Sequence, residues 1–206
     1  MIKKTIKKIT EINKQITITS AIVSLSAKVA CADGGDMFLK KKVFFDIFKA
    51  HKKEKKNIEK IFDFASQETA GFATYAKTLQ KKFKKSSEVL EEVLVAMLKI
   101  AKANGVLKDE SLEMLKQIAK LFKISEKDFI RVCNINNVYD FSNPYVILGV
   151  PADISKEDLK EHYKKLAKKY HPDHLISCGM PQEMMGLLEN KMAEINKAYN
   201  NIKKEK

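Results

Sequence analysis

Between Met185 and Ile202 apolar residues return at alternating intervals of three and four: Met185, Leu188, Met192, Ile195, Tyr199 and Ile202. Only an α-helix places all six along one seam, and such a seam needs a second apolar surface to bury it. The surface lies upstream, in PADISKEDLKEHYKKLAKKY, where Leu159, Tyr163, Leu166, Ala167 and Tyr170 form one helical stripe. Ser155 is placed to cap that helix, and Glu157 and Asp158 sit in its first turn, where negative charge complements the helix dipole. The two segments predict an antiparallel helical pair. The second helix is expected to open at Pro181, and NPYVILGV is expected to form a short apolar turn ahead of the first.

The chain must reverse between these helices, and there it reads KKYHPDHLI, Lys168 to Ile176. Lys160, Lys164, Lys165, Lys168 and Lys169 fall off the apolar stripe and make a basic face on the first helix. Pro172 fixes its own φ and turns His171 away from helical geometry, so His171 and Asp173 are expected to project from a stiff corner. Three uses of the tripeptide compete. His171, Asp173 and His174, with Cys178, include metal-ligand types, but a structural zinc site takes four well-spaced ligands, mostly Cys and His. As a general base His171 would need a nucleophile and an orienting acid, and no G-x-S-x-G or Cys-His signature is present. No G-x-x-x-x-G-K-[ST] phosphate loop is present either. A docking corner between two helices is the reading these residues favour.

The rest of the chain is also helical in character. Gly and Pro are scarce, Trp is absent, and Lys, Leu, Ile, Ala and Glu dominate, so the fold class is expected to be all-α. A weak repeat, Lys28-Val-Ala-Cys-Ala-Asp-Gly34 and Lys99-Ile-Ala-Lys-Ala-Asn-Gly105, ends two helices with a glycine suited to a left-handed cap. After each Gly an amphipathic segment follows, one with Val43, Phe44, Ile47 and Phe48, the other with Leu112, Leu115, Ile118, Ala119 and Phe122. Asp109 is expected to cap the second of these, and Ser125 the SEKDFIRV helix after it. KKNIEKIFDFASQ and GFATYAKTLQKKF supply two more helices, giving a bundle of about six or seven built as two related halves. The polar run CNINNVYDFSNP marks a boundary. The expected organisation is residues 1–132, a helical bundle; 133–143, a linker; and 144–206, the helical hairpin.

The formal net charge of +13 raises the question of nucleic acid, but Arg131 is the only Arg, and Arg is the usual reader of guanine edges. Sequence-specific nucleic-acid binding is not expected; the Lys residues coat solvated helix faces. Cys31, Cys133 and Cys178 form no C-x-x-C pair, which fits a reducing, cytoplasmic setting. No apolar run reaches the length of a spanning helix, and the start lacks the pattern of a secretory signal. MIKKTIKKITEINK sets Ile2, Ile6, Ile9 and Ile12 on one face with Lys elsewhere, a pattern that could contact an anionic membrane peripherally.

Two family resemblances rest on these residues. The first unit resembles the TerB-like helical domain through the turns Ala32-Asp33-Gly34 and Ala103-Asn104-Gly105. For some members of that family acidic residues near the turns are linked to metal or tellurite stress; Asp33, Asp36, Asp109 and Glu110 are the corresponding candidates. Neither turn has the alternating oxygen ligands of a calcium loop, so capping and turn formation explain them better. YVILGV, EHYKKLAKKYHPD and NKMAEINKAYNNI, in that order, resemble a J domain, the cochaperone hairpin with His-Pro-Asp between its second and third helices. The insertion HPDHLISCGMPQEMM, together with the order of the units, resembles the DjlA branch of these cochaperones.

The resemblance implies binding to a DnaK-type chaperone of the heat-shock protein 70 family and stimulation of its ATPase. By position it implies that His171, Pro172 and Asp173 are the trigger, and that Lys160, Lys164, Lys165 and Lys168, with Tyr163 beside them, form the contact face. The ATP and its Mg²⁺ belong to the partner, so the chain is expected to be no enzyme, with no cofactor and no metal ligand of its own. The client is unknown and is expected to be chosen by residues 1–132, since no Gly/Phe-rich linker or zinc-finger client domain follows Asn201. The alternative is a metal-binding or stress-response protein acting through the TerB-like unit.

Overall fold

The computed structural model describes residues 2–137 and 143–205, with side chains described over 17–133 and 143–205. Among the described residues the structure is helices and turns without strands, so the all-α expectation holds. The isoleucine face of residues 2–12 and most of the boundary run 133–143 lie outside the described side chains.

Among the described residues seven helices make the first unit: α1 (Ile2–Cys31), α2 (Met37–Ile47), α3 (Lys52–Ala65), α4 (Phe72–Lys82), α5 (Ser87–Ala101), α6 (Asp109–Phe122) and α7 (Glu126–Asn137). Helices α1 and α5 are its centre. Ile18, Val23, Leu25, Ala27, Val29 and Ala30 of α1 and Val89, Val93, Met97 and Ala101 of α5 have no solvent exposure. A helix apolar on nearly every side is a buried helix, and the amphipathic ones cover it. Phe44, Phe48 and Phe62 pack in contact, with Phe44 centroids 5.3 Å and 4.8 Å from the other two.

The two repeated turns meet each other. Gly34 (φ 63°) and Gly105 (φ 88°) take the left-handed conformation expected after Asp33 and Asn104. A Cβ on Gly35 would come within 2.7 Å of the Asn104 amide, so this glycine is what lets the second turn approach the first. Ser111 Oγ donates to Asp33 Oδ2 at 3.0 Å, and Lys108 Nζ donates to the Asp33 carbonyl at 3.2 Å. Lys108, not Asp109, is the N-cap position of α6. Lys108 is extended and tied to the first turn, which leaves Asp109 inside the helix, where it complements the dipole without capping.

The second unit comprises α8 (Pro144–Leu148), α9 (Lys156–Lys169), α10 (Pro172–Ser177) and α11 (Met185–Glu205). The expected apolar turn is a five-residue helix capped by Asn143, whose side chain accepts from the Tyr145 and Val146 amides. Ser155 caps α9 as expected, accepting from the Asp158 amide at 3.0 Å. Pro181 does not open the long helix. It precedes a 3-10 turn, Gln182–Met184, and α11 starts at Met185. Leu188, Ile195 and Ile202 of the seam are buried, Met185, Met192 and Tyr199 are partly so, and α11 packs on α8 and α9. Tyr163 stacks on Tyr199 with centroids 4.0 Å apart, and His162 Nε2 bonds the Leu148 carbonyl at 2.8 Å.

The units are in contact through the insertion between α10 and α11. Met180 and Met184 are 1 % exposed, and the Lys49 amide donates to the Glu183 carbonyl at 2.8 Å. Gly179 lies against Phe83, and Gly186 against the Lys49 side chain. Among the described residues no helix is long and apolar enough to cross a membrane.

Candidate functional site: an exposed His-Pro-Asp corner

The α9 helix ends at Tyr170, and its successor starts almost at once. His171 takes extended angles (φ −60°, ψ 130°) as the N-cap of α10, and Pro172 fills the first helical position, where its missing N–H costs nothing. The Asp173 amide donates to His171 Nδ1 at 3.2 Å. An Nδ1 that accepts leaves the proton of the neutral ring on Nε2. The Asp173 carboxylate is 3.8 Å from the same Nδ1, and the side chains of His171 and Asp173 remain 55 % and 89 % exposed. Proline, an imidazole cap and a short helix anchored by fully buried Leu175 thus hold two polar groups at the surface in one geometry.

The basic face of α9 is open beside this corner. Lys160, Lys164, Lys165 and Lys168 are exposed, whereas Tyr163 is half-buried in its stack on Tyr199 and its hydroxyl donates to Asn196 at 3.0 Å. The structure therefore brings the four lysines to the exposed side of α9 and turns Tyr163 inward toward α11.

Lys169 and Tyr170 face the other way, onto an acidic ridge along α5. Tyr170 is buried and its hydroxyl donates to Glu91 Oε2 at 3.4 Å. Burial and the nearby Glu91 and Glu92 carboxylates push its phenol pKa well above the usual value. Glu91 also receives Arg131 at 3.4 Å and Lys169 at 3.7 Å, and the Lys169 ammonium lies over the Tyr170 ring. Glu92, 2 % exposed, faces Lys191 of α11 at 3.9 Å, and its Oε2 has no hydrogen-bond partner. Burial raises the Glu92 carboxyl above the ordinary range against the pull of Lys191 and Lys99. Glu88 meets His174 Nε2 at 3.3 Å. This ridge escaped the sequence reading, because its partners lie 79 and 86 residues away along the chain. The run Glu88–Glu92 in an otherwise apolar helix is the signal that could have found it.

The acidic residues at the repeat turns are engaged within the fold. Asp33 binds Lys40, Ser111 and the Gly35 amide; Lys40, fully buried, also donates to the Ala30 carbonyl at 2.9 Å. Burial opposes ionisation of Asp33, but the Lys40, Gly35 and Ser111 hydrogen bonds outweigh it and hold its carboxyl below the usual range. Asp36 caps α2, accepting from the Phe38 and Leu39 amides. Asp109 and Glu110 lie in the first turn of α6. Asp33 thus serves the turn and Asp36 the cap of α2, whereas Asp109 and Glu110 stand in a first turn that neither of them caps.

Two family models match the chain in succession. Residues 143–206 match the DnaJ domain family model, and residues 19–134 match the model described as Tellurite resistance protein TerB. A relative named Co-chaperone protein DjlA from Vibrio vulnificus (strain YJ016) is 43% identical over 65 residues, 32% of this chain and 23% of that protein. The protein of the same name from Shewanella oneidensis is 31% identical over 91 residues, 44% of this chain and 35% of its own length. That from Coxiella burnetii is 35% identical over 63 residues, 31% of this chain and 23% of the relative. The matched stretches thus span well under half the length of these relatives. No solved structure matches the chain. With more than half of its residues under the TerB model, the chain belongs to the TerB family, and it carries a DnaJ domain after its TerB domain.

Proposed function

We propose that the protein is a cochaperone: its DnaJ domain binds a DnaK-type chaperone of the heat-shock protein 70 family and stimulates ATP hydrolysis there, while the TerB domain directs it to a client or a place. One observation carries the reading. The His-Pro-Asp corner is rigid and exposed, and it stands at the end of a helix whose four outward lysines stay free while the neighbouring Lys169 and Tyr170 are held by α5.

The chemistry of that face suits a protein partner. Exposed lysines raise the rate of encounter with an acidic surface and weaken binding as salt rises. A corner with fixed polar groups makes directional hydrogen bonds, and it can shift the partner's equilibrium only as far as it prefers one partner state over another. The reacting atoms belong to the partner; His171 and Asp173 act as interface groups. The name carried by the Vibrio, Shewanella and Coxiella relatives supports the same reading.

Titrating an ATP-bound DnaK-type chaperone with the protein tests the binding step. Lys164→Glu with Lys165→Glu is expected to weaken association at least tenfold at low salt, with a much smaller difference above about 0.5 M, where charges a few ångströms apart are screened. Equal affinity of the double variant and the wild type at low salt would contradict the assignment of the basic face.

A further inference from the structure

We propose that Glu88, His174 and Cys178 form a binding site for one zinc-class divalent cation that ties the TerB and DnaJ domains together. The three donors come from both domains: Glu88 from the first turn of α5, His174 from α10 and Cys178 from its C-cap. His174 Nε2 lies 3.3 Å from Glu88 Oε1 and 3.8 Å from Cys178 Sγ, and all three donor atoms are within 4.8 Å of one another. Zinc holds nitrogen and oxygen at about 2.0–2.2 Å and sulfur at about 2.3 Å, so tetrahedral neighbours stand roughly 3.3–3.6 Å apart. The two edges that meet at His174 Nε2 already have that length to within a few tenths of an ångström.

The ligand types select the ion. A thiolate with an imidazole and one carboxylate suits zinc or cobalt, whereas magnesium and calcium take oxygen donors throughout. Three protein ligands leave a fourth position for water. The sequence sets His174 and Cys178 beside His171 and Asp173, but His171 Nδ1 caps α10 and the Asp173 carboxylate points to solvent at that corner. The third donor is contributed instead by the other domain.

The scaffold holds the donors in place without an ion. The Cys178 amide donates to the His174 carbonyl at 3.0 Å, which sets the two side chains one helical turn apart. Leu175 and Met180, 0 % and 1 % exposed, fix this short segment on the core. The His174 side chain is 43 % exposed and that of Glu88 14 %, so an ion can enter from solvent and meet a partly enclosed carboxylate. Bound there, it would clamp α10, which begins at the His-Pro-Asp corner, against the acidic ridge of α5. The site is independent of the chaperone reading.

Cobalt titration of the full chain, with zinc as competitor, tests it. One Co²⁺ per chain is expected to bind with a thiolate charge-transfer band in the near ultraviolet and tetrahedral bands in the visible, all lost on adding zinc. Cys178→Ser is expected to abolish the charge-transfer band, while Cys31→Ser and Cys133→Ser keep it. Glu88→Gln and His174→Gln are each expected to weaken binding at least about tenfold, with unchanged far-ultraviolet circular dichroism showing that the fold survives. Absence of the band at millimolar cobalt, its persistence in Cys178→Ser, or full affinity in Glu88→Gln would overturn the proposal; the last would confine any site to one domain.

Discussion

At the residue scale the least expected feature is Lys40, one of three consecutive lysines and yet fully buried on Asp33. A buried pair gains little over an apolar isostere, but removing one partner strands a charge. Asp33→Asn is therefore expected to cost about 3–5 kcal/mol in urea denaturation, and adding Lys40→Met should restore most of it. Asp33 and Glu92 give opposite pH dependences. The Asp33 carboxyl is lowered in the folded state, so its stabilisation is present above the ordinary carboxylate value and is lost as pH falls through the lowered one. The Glu92 carboxyl is raised, so its contribution is present below the ordinary value and lost as pH climbs through the raised one. Glu92→Gln should accordingly be more stable than the wild type at neutral pH, with the advantage vanishing in acid; thermal melts from pH 2 to pH 8 check both signs. Equal melting temperatures at neutral pH would contradict the assignment.

Elements differ in how much of themselves they show in the sequence. The pair α9 and α11 was legible because its seam runs over several turns, and because Ser155 and the first-turn acids mark a beginning. Ser155→Ala should lower the stability of the DnaJ domain by about 1 kcal/mol, as the loss of a hydrogen-bonded N-cap does; a chemical melt followed by Tyr163 and Tyr199 absorbance checks it. Helices α8 and α10 span five and six residues, too short to show a period, so the sequence shows the one only as a turn and the other only as part of a corner. The tripeptide itself was legible, since Pro172 restricts its own backbone and its neighbour's. Its cap was not: that His171 accepts from the Asp173 amide depends on α10 being a helix. The burial of Lys40 and the partners of the α5 ridge were illegible for another reason. A charge is buried only when a distant partner meets it, and nothing local in a run of lysines or glutamates announces that partner.

For the whole molecule, the arrangement of the two domains decides which surfaces remain free. The TerB domain holds Lys169, Tyr170 and Lys191 through Glu91 and Glu92, and the insertion fills the space between with Met180 and Met184. Glu91→Lys reverses the charge at the centre of this contact. Since its Lys169 and Arg131 partners are more than a third exposed, the pairs contribute about 1 kcal/mol or less each, and the variant should speed amide exchange in α10 and in the insertion several-fold while the core of α1 stays protected. Unchanged exchange in α10 would mean that apolar packing alone holds the domains together. The outward side of α9 is untouched by this contact, and there the proposed partner must bind. The most direct test is single-turnover hydrolysis of ATP by a DnaK-type chaperone, with the wild-type protein beside His171→Gln and Asp173→Asn. Stimulation by the wild type and its loss in both variants is the expected result; equal stimulation by all three, or none by the wild type, would contradict the cochaperone reading.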